Sequence, residues 1–291
     1  MDGQTRMMRG CRWIAGAAAL VAIAACGSDG DTTARNAAAG TPAGRLDLGV
    51  VSVTARIGGD NEYSAGVVVD GERGLILTTA HGVWGATSLK VATGMAVLHG
   101  RIVARDACDD LAVLETQPRL PGLVAVRPSA DASLPAGRPI VAVRRMTGLP
   151  RGGQPDLITT RVAILTSAVR KLAPGIAPKG AVQLDAPELP AEASGAPLLG
   201  ADGRLAGMAQ IVQRGATTTR AALPWETIMA RLGELEPGGR AQYVGWRRHY
   251  RCAGALHDYA AERHPRFRRT DAVLNAPVPA TRLPGTEGVD R

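Results

Sequence analysis

Residues 74–81 read Gly74-Leu75-Ile76-Leu77-Thr78-Thr79-Ala80-His81, an apolar run that ends in two threonines, an alanine and a histidine. A second apolar run, Gly66-Val67-Val68-Val69-Asp70, comes just before it, and a short Gly-Glu-Arg segment separates the two. Short β-branched runs bounded by Gly and Asp are typical of strands. The sequence therefore predicts two short strands, the second of which leads directly to His81.

The same pattern continues along most of the chain from about Leu46 to Gln213. Apolar runs rich in Val, Ile and Leu alternate with Gly, Pro and Asp; further examples are Val50–Ile57, Leu89–Val91, Val97–Val103, Leu111–Leu114, Ile140–Val143, Ile158–Leu165, Val182–Leu184 and Leu205–Ile211. Many short strands with turn residues between them predict an all-β barrel or sandwich.

Two further stretches place polar residues beside apolar runs. One is Asp109-Asp110-Leu111-Ala112-Val113-Leu114, and the other is Ala191-Glu192-Ala193-Ser194-Gly195-Ala196-Pro197-Leu198. A serine hydroxyl is a poor nucleophile at neutral pH unless an imidazole takes its proton and a carboxylate holds that imidazole in the right tautomer. The chain order His, Asp, Ser is one of several in which this constellation occurs.

These stretches give one candidate for each role in nucleophilic catalysis. His81 is the candidate base and Ser194 the candidate nucleophile, with Ser167 as the alternative nucleophile. Asp110 is the preferred orienting carboxylate because it directly precedes the apolar run, with Asp109 as the next choice. The alternative interpretation of His81 is a histidine buried in the core for packing alone.

The flanking residues resemble the HtrA/Deg branch of the trypsin-like serine proteases. Leu77–His81 is similar to the segment that leads to the catalytic histidine of that branch, and Asp110–Leu114 is similar to its D-[IL]-A-[LV]-[LIV] segment. Ser194–Leu198, followed by Asp202–Met208, resembles its G-N-S-G-G-P-L segment and the strand after it. The resemblance covers residues 47–236.

The resemblance implies an all-β, trypsin-like fold of two six-stranded antiparallel β-barrels over residues 46–236. The proline-rich segment 117–137 would cross between the barrels, and the site would lie in the cleft between them. It implies a serine endopeptidase that cleaves peptide bonds in protein or peptide substrates with His81, Asp110 and Ser194, and that needs no cofactor or metal. The backbone N–H groups of Ser194 and Glu192 would form the oxyanion hole.

The loop before Ser194 departs from the family pattern. Glu192 stands where the family has Gly, the residue that adopts positive φ without steric cost, and its carboxylate would repel a developing oxyanion. The loop Asp185–Ala193 is also one residue longer than the pattern. Glu188, six residues before Ser194, lies where the family places the base of its specificity pocket; there it would favour a basic substrate residue, and otherwise it is a solvated loop residue.

The N-terminal segment has the features of an export signal. Arginines precede the apolar run Trp13–Ala25, which is shorter than the ~20 residues that span a bilayer and is typical of a signal-peptide core. Its end, Ile23-Ala24-Ala25-Cys26, resembles a bacterial lipobox. This implies a lipoprotein signal over 1–25, lipid on Cys26 at the outer face of the cytoplasmic membrane, and a flexible tether over 26–45. An ordinary cleaved signal peptide is the alternative.

Two cysteines remain after processing, Cys108 and Cys252, because Cys11 would leave with the signal and Cys26 would carry lipid. Exported proteins form disulfides, so we expect one bridge between the two, with two unpaired thiols as the alternative. The bridge would tie down the basic aromatic appendage at 237–291. There the helical spacing of apolar residues predicts a helix over Cys252–His264, ended by Pro265.

The charge pattern limits the possible partners. The net charge of +8 favours an anionic partner such as a cell-envelope polymer. We expect no nucleic-acid partner, because no motif for nucleic-acid recognition is present. The spacing of His249, His257 and His264 lacks a metal-ligand pattern and favours a basic surface instead. The departure of the loop before Ser194 leaves a second hypothesis for the whole chain. It is a catalytically impaired, protease-fold lipoprotein that acts as a binding or scaffold module.

Overall fold

A computed structural model of the chain describes residues 46–268, apart from 47, 95, 131–133, 135–136, 138, 146–154, 163–171, 174 and 235–245. The expected signal peptide, the tether with Cys26, the alternative nucleophile Ser167 and the end of the appendage lie outside the described residues. Within the described ranges, no helix is long and apolar enough to cross a membrane.

The first six strands form a closed antiparallel barrel in the order β1-β2-β3-β6-β5-β4. Their bounds are β1 Val50–Ile57, β2 Asp60–Asp70, β3 Leu75–Thr79, β4 Ser88–Ala92, β5 Val97–Asp106 and β6 Leu111–Gln117. The continuous apolar runs of β3 and β6 are explained by their positions, since every residue of β3 and all but the last of β6 are buried. These two strands pair with each other, so the residues that follow β3 and precede β6 meet at one end of the barrel.

The next six strands form a second antiparallel sheet: β7 Pro139–Arg145, β8 Pro155–Val162, β9 Val182–Asp185, β10 Pro197–Leu199, β11 Leu205–Arg214 and β12 Thr217–Pro224. They pair in the order β10-β11-β12-β9-β8-β7, and β10 also pairs with β7. The prediction of a mostly β chain is confirmed. The sequence pattern missed β10, which has three residues, and β12, whose first half is Thr217-Thr218-Thr219-Arg220.

The segment between β6 and β7 contacts both sheets. The N–H of Val126 donates to the carbonyl of Val68 on β2 at 3.1 Å. The N–H of Leu205, at the start of β11, donates to the carbonyl of Arg127 at 2.8 Å. This connection therefore holds the first barrel beside the second sheet.

Two α-helices follow the sheets in the described chain: α1, Trp225–Glu234, and α2, Trp246–Arg263. The predicted helix at Cys252–His264 is confirmed, and it begins earlier than expected. Its apolar stripe is buried and joins the same core as the first barrel; the stripe consists of Cys252, Ala253, Leu256, Tyr259 and Ala260. This 3.6-residue periodicity is typical of a helix with one face packed on a core.

Phe267, just after α2, is also buried against the first barrel. It lies where two glycines leave room: a Cβ at Gly85 would come within 2.2 Å of the Phe267 ring, and one at Gly58 within 2.4 Å of its backbone nitrogen. Within its described part, the C-terminal appendage is therefore packed on the barrel from Cys252 to Phe267.

Candidate active site

His81 and Asp110 form a buried pair at the end of the first barrel. Nδ1 of His81 lies 2.7 Å from Oδ2 of Asp110, and the backbone N–H of His81 donates to Oδ1 of the same carboxylate at 2.8 Å. The two contacts fix both the ring and the backbone of His81 relative to one carboxylate. This arrangement keeps Nδ1 protonated and leaves Nε2 as the ring nitrogen that can accept a proton.

The turn before β6 explains why Asp110, rather than its acidic neighbours, contacts His81. The Asp106 carboxylate accepts the N–H groups of Cys108 and Asp109 at 2.8 and 3.0 Å, which tightens the turn. Asp110 then adopts φ 56°, a left-handed conformation that is uncommon outside glycine and marks functional sites. Asp109 points elsewhere: its carboxylate accepts the N–H of Lys179 at 2.9 Å and lies 2.7 Å from Nε of Arg231.

The pKa of His81 is raised above its usual value of 6.5. Burial opposes the charged form, but the charge of Asp110 and its hydrogen bond outweigh that effect. Glu62 raises the pKa further, and Arg263 lowers it. The imidazolium form is therefore stabilised, which suits a group that must hold a proton during a reaction.

Ser194 lies against the first barrel although its own strand belongs to the second sheet. A single 3-10 turn, Ala191–Ala193, leads into it. Its carbonyl accepts the N–H of Ala65 on β2 at 2.8 Å. Gly195 follows with φ 87°, and a Cβ there would lie 2.1 Å from the carbonyl oxygen of Ala65. The chain therefore needs glycine at 195 to bring Ser194 this close to β2 and to the end of β3.

The polar groups of Ser194 are engaged with nearby backbone. Its hydroxyl accepts the N–H of Ile211 on β11 at 3.0 Å, and its own N–H donates to the carbonyl of Ala191 at 3.0 Å. In the described chain no hydrogen bond joins the Ser194 hydroxyl to the His81 ring. Ser194 is only 1% exposed and His81 only 3% exposed. Both groups are therefore buried, Ser194 against strand β2 and His81 against Asp110, and they are not hydrogen-bonded to each other in this conformation.

One basic residue that the sequence analysis did not single out for the site, Arg220, holds the loop before Ser194 in place. Arg220 on β12 donates from Nε to the carbonyl of Leu189 at 2.8 Å and from its terminal nitrogen to that of Pro187 at 3.1 Å. It thus fixes the loop before Ser194, on which Glu188 and Glu192 are both exposed. Arg220 lies opposite Ile211 in the β11–β12 register. The sequence did not predict this position, because strand β12 was not identified from its pattern.

Tyr259 of α2 contacts the other side of the site. Its ring packs edge-on against the ring of His81, with the centroids 5.4 Å apart. The sequence predicted Tyr259 as a residue on the buried stripe of a helix but gave no partner for it. The expected pairing of Cys108 with Cys252 is present in the structure, with Cα atoms 5.0 Å apart, and it brings α2 to the turn that carries Asp110.

Two of the three appendage histidines, His257 and His264, have described side chains, and neither belongs to a cluster of metal ligands. In the described ranges no group of three or more His, Cys, Asp or Glu side chains is placed to hold a metal ion. His264 instead lies with Nε2 3.1 Å from the Glu62 carboxylate, and His257 stacks on Phe267 with ring centroids 5.9 Å apart. Both histidines are buried, so the expectation of an exposed basic surface is wrong for these two.

Part of the chain is similar in sequence to known peptidases. Residues 64–208 match a family described as trypsin-like peptidase domain. HhoA of Synechocystis sp., provisionally named a serine protease, is 30% identical over 187 residues; the match covers 62% of this chain and 45% of that protein, so this chain spans about half the length of that relative.

Two solved structures share the fold. The serine endoprotease from Yersinia pestis superposes with a TM-score of 0.51 and 20% identity, over 67% of this chain and 64% of that one. The MamO protease domain from Magnetospirillum magneticum superposes with a TM-score of 0.50 and 21% identity, over 64% of this chain and 97% of that one. At these identities the likeness concerns the fold alone.

Proposed function

We propose that this chain, a trypsin-like serine peptidase homologue over residues 64–208, is an endopeptidase that uses His81, Asp110 and Ser194 as a catalytic triad. The observation that carries the proposal is the buried pair of His81 and Asp110, 2.7 Å apart, at the end of the barrel whose strand β2 contacts Ser194. We also propose that the second sheet, whose six strands pair in a ring, is the second barrel of that fold.

The proposed reaction is acyl transfer to Ser194 followed by hydrolysis. Oγ of Ser194 bonds to the carbonyl carbon of the substrate while its proton passes to Nε2 of His81, and Asp110 stabilises the resulting imidazolium. The peptide C–N bond then breaks and the Nε2 proton passes to the leaving amine. Water attacks the acyl ester by the same proton transfers, which releases the carboxylic acid and restores Ser194.

This reaction requires two changes at Ser194. Its hydroxyl must turn from the N–H of Ile211 to the ring of His81, and its N–H must leave the carbonyl of Ala191 to face the substrate oxygen. The N–H of Glu192 is the proposed second donor. Loss of one such donor costs about 10²–10³ in rate, so the conformation of the Ala191–Ala193 turn sets how fast the enzyme works.

The proposed location is the outer face of the bacterial cytoplasmic membrane, through lipid on Cys26. Replacing Cys26 by Ala should release the protein from the membrane or leave it unprocessed, because bacterial lipidation of this kind needs the thiol. Membrane fractionation with mass analysis of the N-terminus tests this. A correctly processed Cys26→Ala protein that stays in the membrane fraction would contradict it.

The proposed substrates are proteins or peptides, with a basic residue at the cleavage site if Glu188 lies in the specificity pocket. An anionic cell-envelope polymer is a further proposed partner, based on the net charge of +8. A peptide library assayed with the wild type and with Glu188→Gln tests the first point. The proposal for Glu188 fails if the preference for basic residues is absent or is the same in both proteins.

The alternative function is a protease-fold binding or scaffold module. Two features favour it: the N–H of Ser194 is engaged with the carbonyl of Ala191, and the carboxylate of Glu192, at the expected glycine position, would repel a developing oxyanion. Under this alternative the His81–Asp110 pair is a structural remnant, and no variant of the loop recovers activity.

Covalent labelling by a fluorophosphonate separates the two functions. The probe requires an activated serine, so the wild type should be labelled and Ser194→Ala should not, with nearly the same melting temperature. Glu192→Gly should label faster, whereas the matched control Glu192→Gln removes the charge and leaves the backbone restricted. Because Tyr259 covers His81, Tyr259→Ala is labelled in parallel. Absence of label in all of these proteins would sink the peptidase proposal and leave the scaffold function.

A further inference from the structure

The helix α2 lies over the candidate catalytic groups rather than beside them. Tyr259 is only 3% exposed, and its ring packs against the edge of the His81 ring with centroids 5.4 Å apart. Burial raises the pKa of Tyr259, and the backbone of Gln213, near the end of β11, lies close enough to the Tyr259 hydroxyl to act on that pKa in the opposite direction. Tyr259 thus fills the space between the base and β11.

That space is the one through which a substrate would reach Ser194. Ile211 on the same strand β11 donates its N–H to the Ser194 hydroxyl, so Gln213 lies two residues along the strand from the nucleophile. Extended peptides bind by pairing with backbone groups of strands. With Tyr259 on Gln213 and His81, a peptide cannot occupy this part of β11 and approach Ser194 at the same time.

The C-terminal end of α2 is held to the first barrel by an ionic latch, formed by Arg263 and His264 of the appendage and Glu62 of β2. Nε and a terminal nitrogen of Arg263 each donate to the Glu62 carboxylate at 3.1 Å, and Nε2 of His264 lies 3.1 Å from it. Glu62 is buried. Burial lowers the pKa of Arg263, but Tyr259, Glu62 and, more weakly, Glu192 raise it. The latch therefore ties α2 to the barrel.

The other end of α2 is held covalently. The disulfide between Cys252 and Cys108 joins it to the turn that carries Asp110. A helix tethered at one end and latched at the other can lift its latched end without leaving the molecule. Tyr259 lies between the disulfide and the latch, one helical turn before Arg263.

We propose that α2 is an internal lid: with its latch closed it shields His81 and blocks access to Ser194, and the protein becomes active when the latch opens and Tyr259 leaves the site. The inference rests on the proposed peptidase function. The Ser194 hydroxyl, bonded to the N–H of Ile211 rather than to His81, and its N–H, bonded to the carbonyl of Ala191, are then the closed-lid state of that site. Apparent activity then scales with the fraction of molecules in which the lid is open.

The test compares four full-length proteins: wild type, Tyr259→Ala, Arg263→Ala and the matched control Arg251→Ala. Arg251 lies on the same helix, and its side chain is exposed. The first measurement is the rate at which diethyl pyrocarbonate modifies His81, followed by peptide mapping; it reports access to the ring whether or not Ser194 reacts. The second is fluorophosphonate labelling of Ser194.

Both rates should rise in Tyr259→Ala and in Arg263→Ala, and Arg251→Ala should match the wild type. For Arg263→Ala the expected rise is about 10- to 100-fold, the factor by which loss of charged hydrogen bonds to a buried carboxylate shifts an equilibrium. If Tyr259→Ala does not fold, Arg263→Ala and Glu62→Gln open the same latch from its two sides and should give the same rise.

Two results would overturn the inference, and they differ from each other. Equal modification of His81 in the wild type and in the latch variants would mean that α2 does not cover the site in solution, and labelling of Ser194 in the wild type would then leave the peptidase function standing. Faster modification of His81 without any labelling would mean that the cover exists but guards no active serine, so that the peptidase function fails and the regulatory role fails with it.

Discussion

Removal of the disulfide between Cys108 and Cys252 should destabilise the protein by about 5 kcal/mol. The two residues are 144 positions apart, and the chain-entropy model gives about that value for a closed loop of this length. The structure of the native state should change little, because the buried stripe of α2 and the Glu62 latch hold the helix in place without the bond. The main effect is therefore on the unfolded chain, which gains the freedom that the bridge had removed.

Urea unfolding of the oxidised wild type, the reduced wild type and the Cys108→Ala/Cys252→Ala double variant measures this effect. The last two should lose similar free energy, and their melting temperatures should fall by about 10–20 °C for a domain of this size. The m-value should not fall and is expected to rise, because the unfolded chain without the bridge is less compact and exposes more surface. A loss below ~1 kcal/mol would refute the entropic argument, and a clear drop in m would show that α2 detaches from the native state instead.

Three further predictions concern the site itself. Because the pKa of His81 is raised, the ring keeps its proton to higher pH, and the acid limb of the kcat/KM profile should lie above pH 6.5. Asp110→Asn should move that limb to lower pH and reduce kcat by about 10⁴-fold. The contribution of the His81–Asp110 pair to the free energy of unfolding should be present below pH 6.5 and be lost as pH rises through the pKa of the folded state. Gly195→Ala should lower the free energy of unfolding by more than ~3 kcal/mol in a melting assay. The control Gly203→Ala has a similar positive φ but nothing within 4 Å of the new Cβ, and it should lower the free energy of unfolding by only ~1 kcal/mol. Equal losses of stability would mean that the contact of Gly195 with β2 is unimportant. Arg220→Ala should speed hydrogen exchange of the amides in residues 186–192, because it removes two hydrogen bonds that hold this loop, and unchanged exchange would contradict that role.

The strands that the sequence predicted best are those whose residues are buried throughout. Strand β3, Leu75–Thr79, lies between two neighbours in a closed barrel, and all of its residues are buried. Its amino-acid composition is therefore mostly apolar, and this is the signal from which the strand was predicted. The first half of β12, Thr217–Arg220, is partly exposed and polar, so its apolar signal is absent. The turn before it contains Gly215 at φ 56°, which is the one local signal from which a β11–β12 hairpin could have been inferred.

The site was predictable as a set of residues but not as an arrangement. The preference for Asp110 over Asp109 came from its place directly before an apolar run, whereas the physical reason is a turn tightened by Asp106 that rotates only Asp110 toward His81. Parity of cysteines predicted that the appendage is tied down. Helical periodicity predicted that Tyr259 is buried, but periodicity does not say against what, and its contact with His81 joins segments far apart in the chain.

Glu192 has a different meaning once the lid is considered. Taken with the loop alone, a carboxylate at the expected glycine position suggests a decayed oxyanion hole. Under the lid proposal Glu192 has a second role, because its charge, after the larger effects of Tyr259 and Glu62, raises the pKa of Arg263 against the effect of burial. The scaffold function does not by itself explain why a covalent tether and a charged latch both hold α2 where Tyr259 packs on His81. The lid proposal accounts for all three features: the disulfide positions α2, the Glu62 latch holds it closed, and His81 is the group that Tyr259 covers.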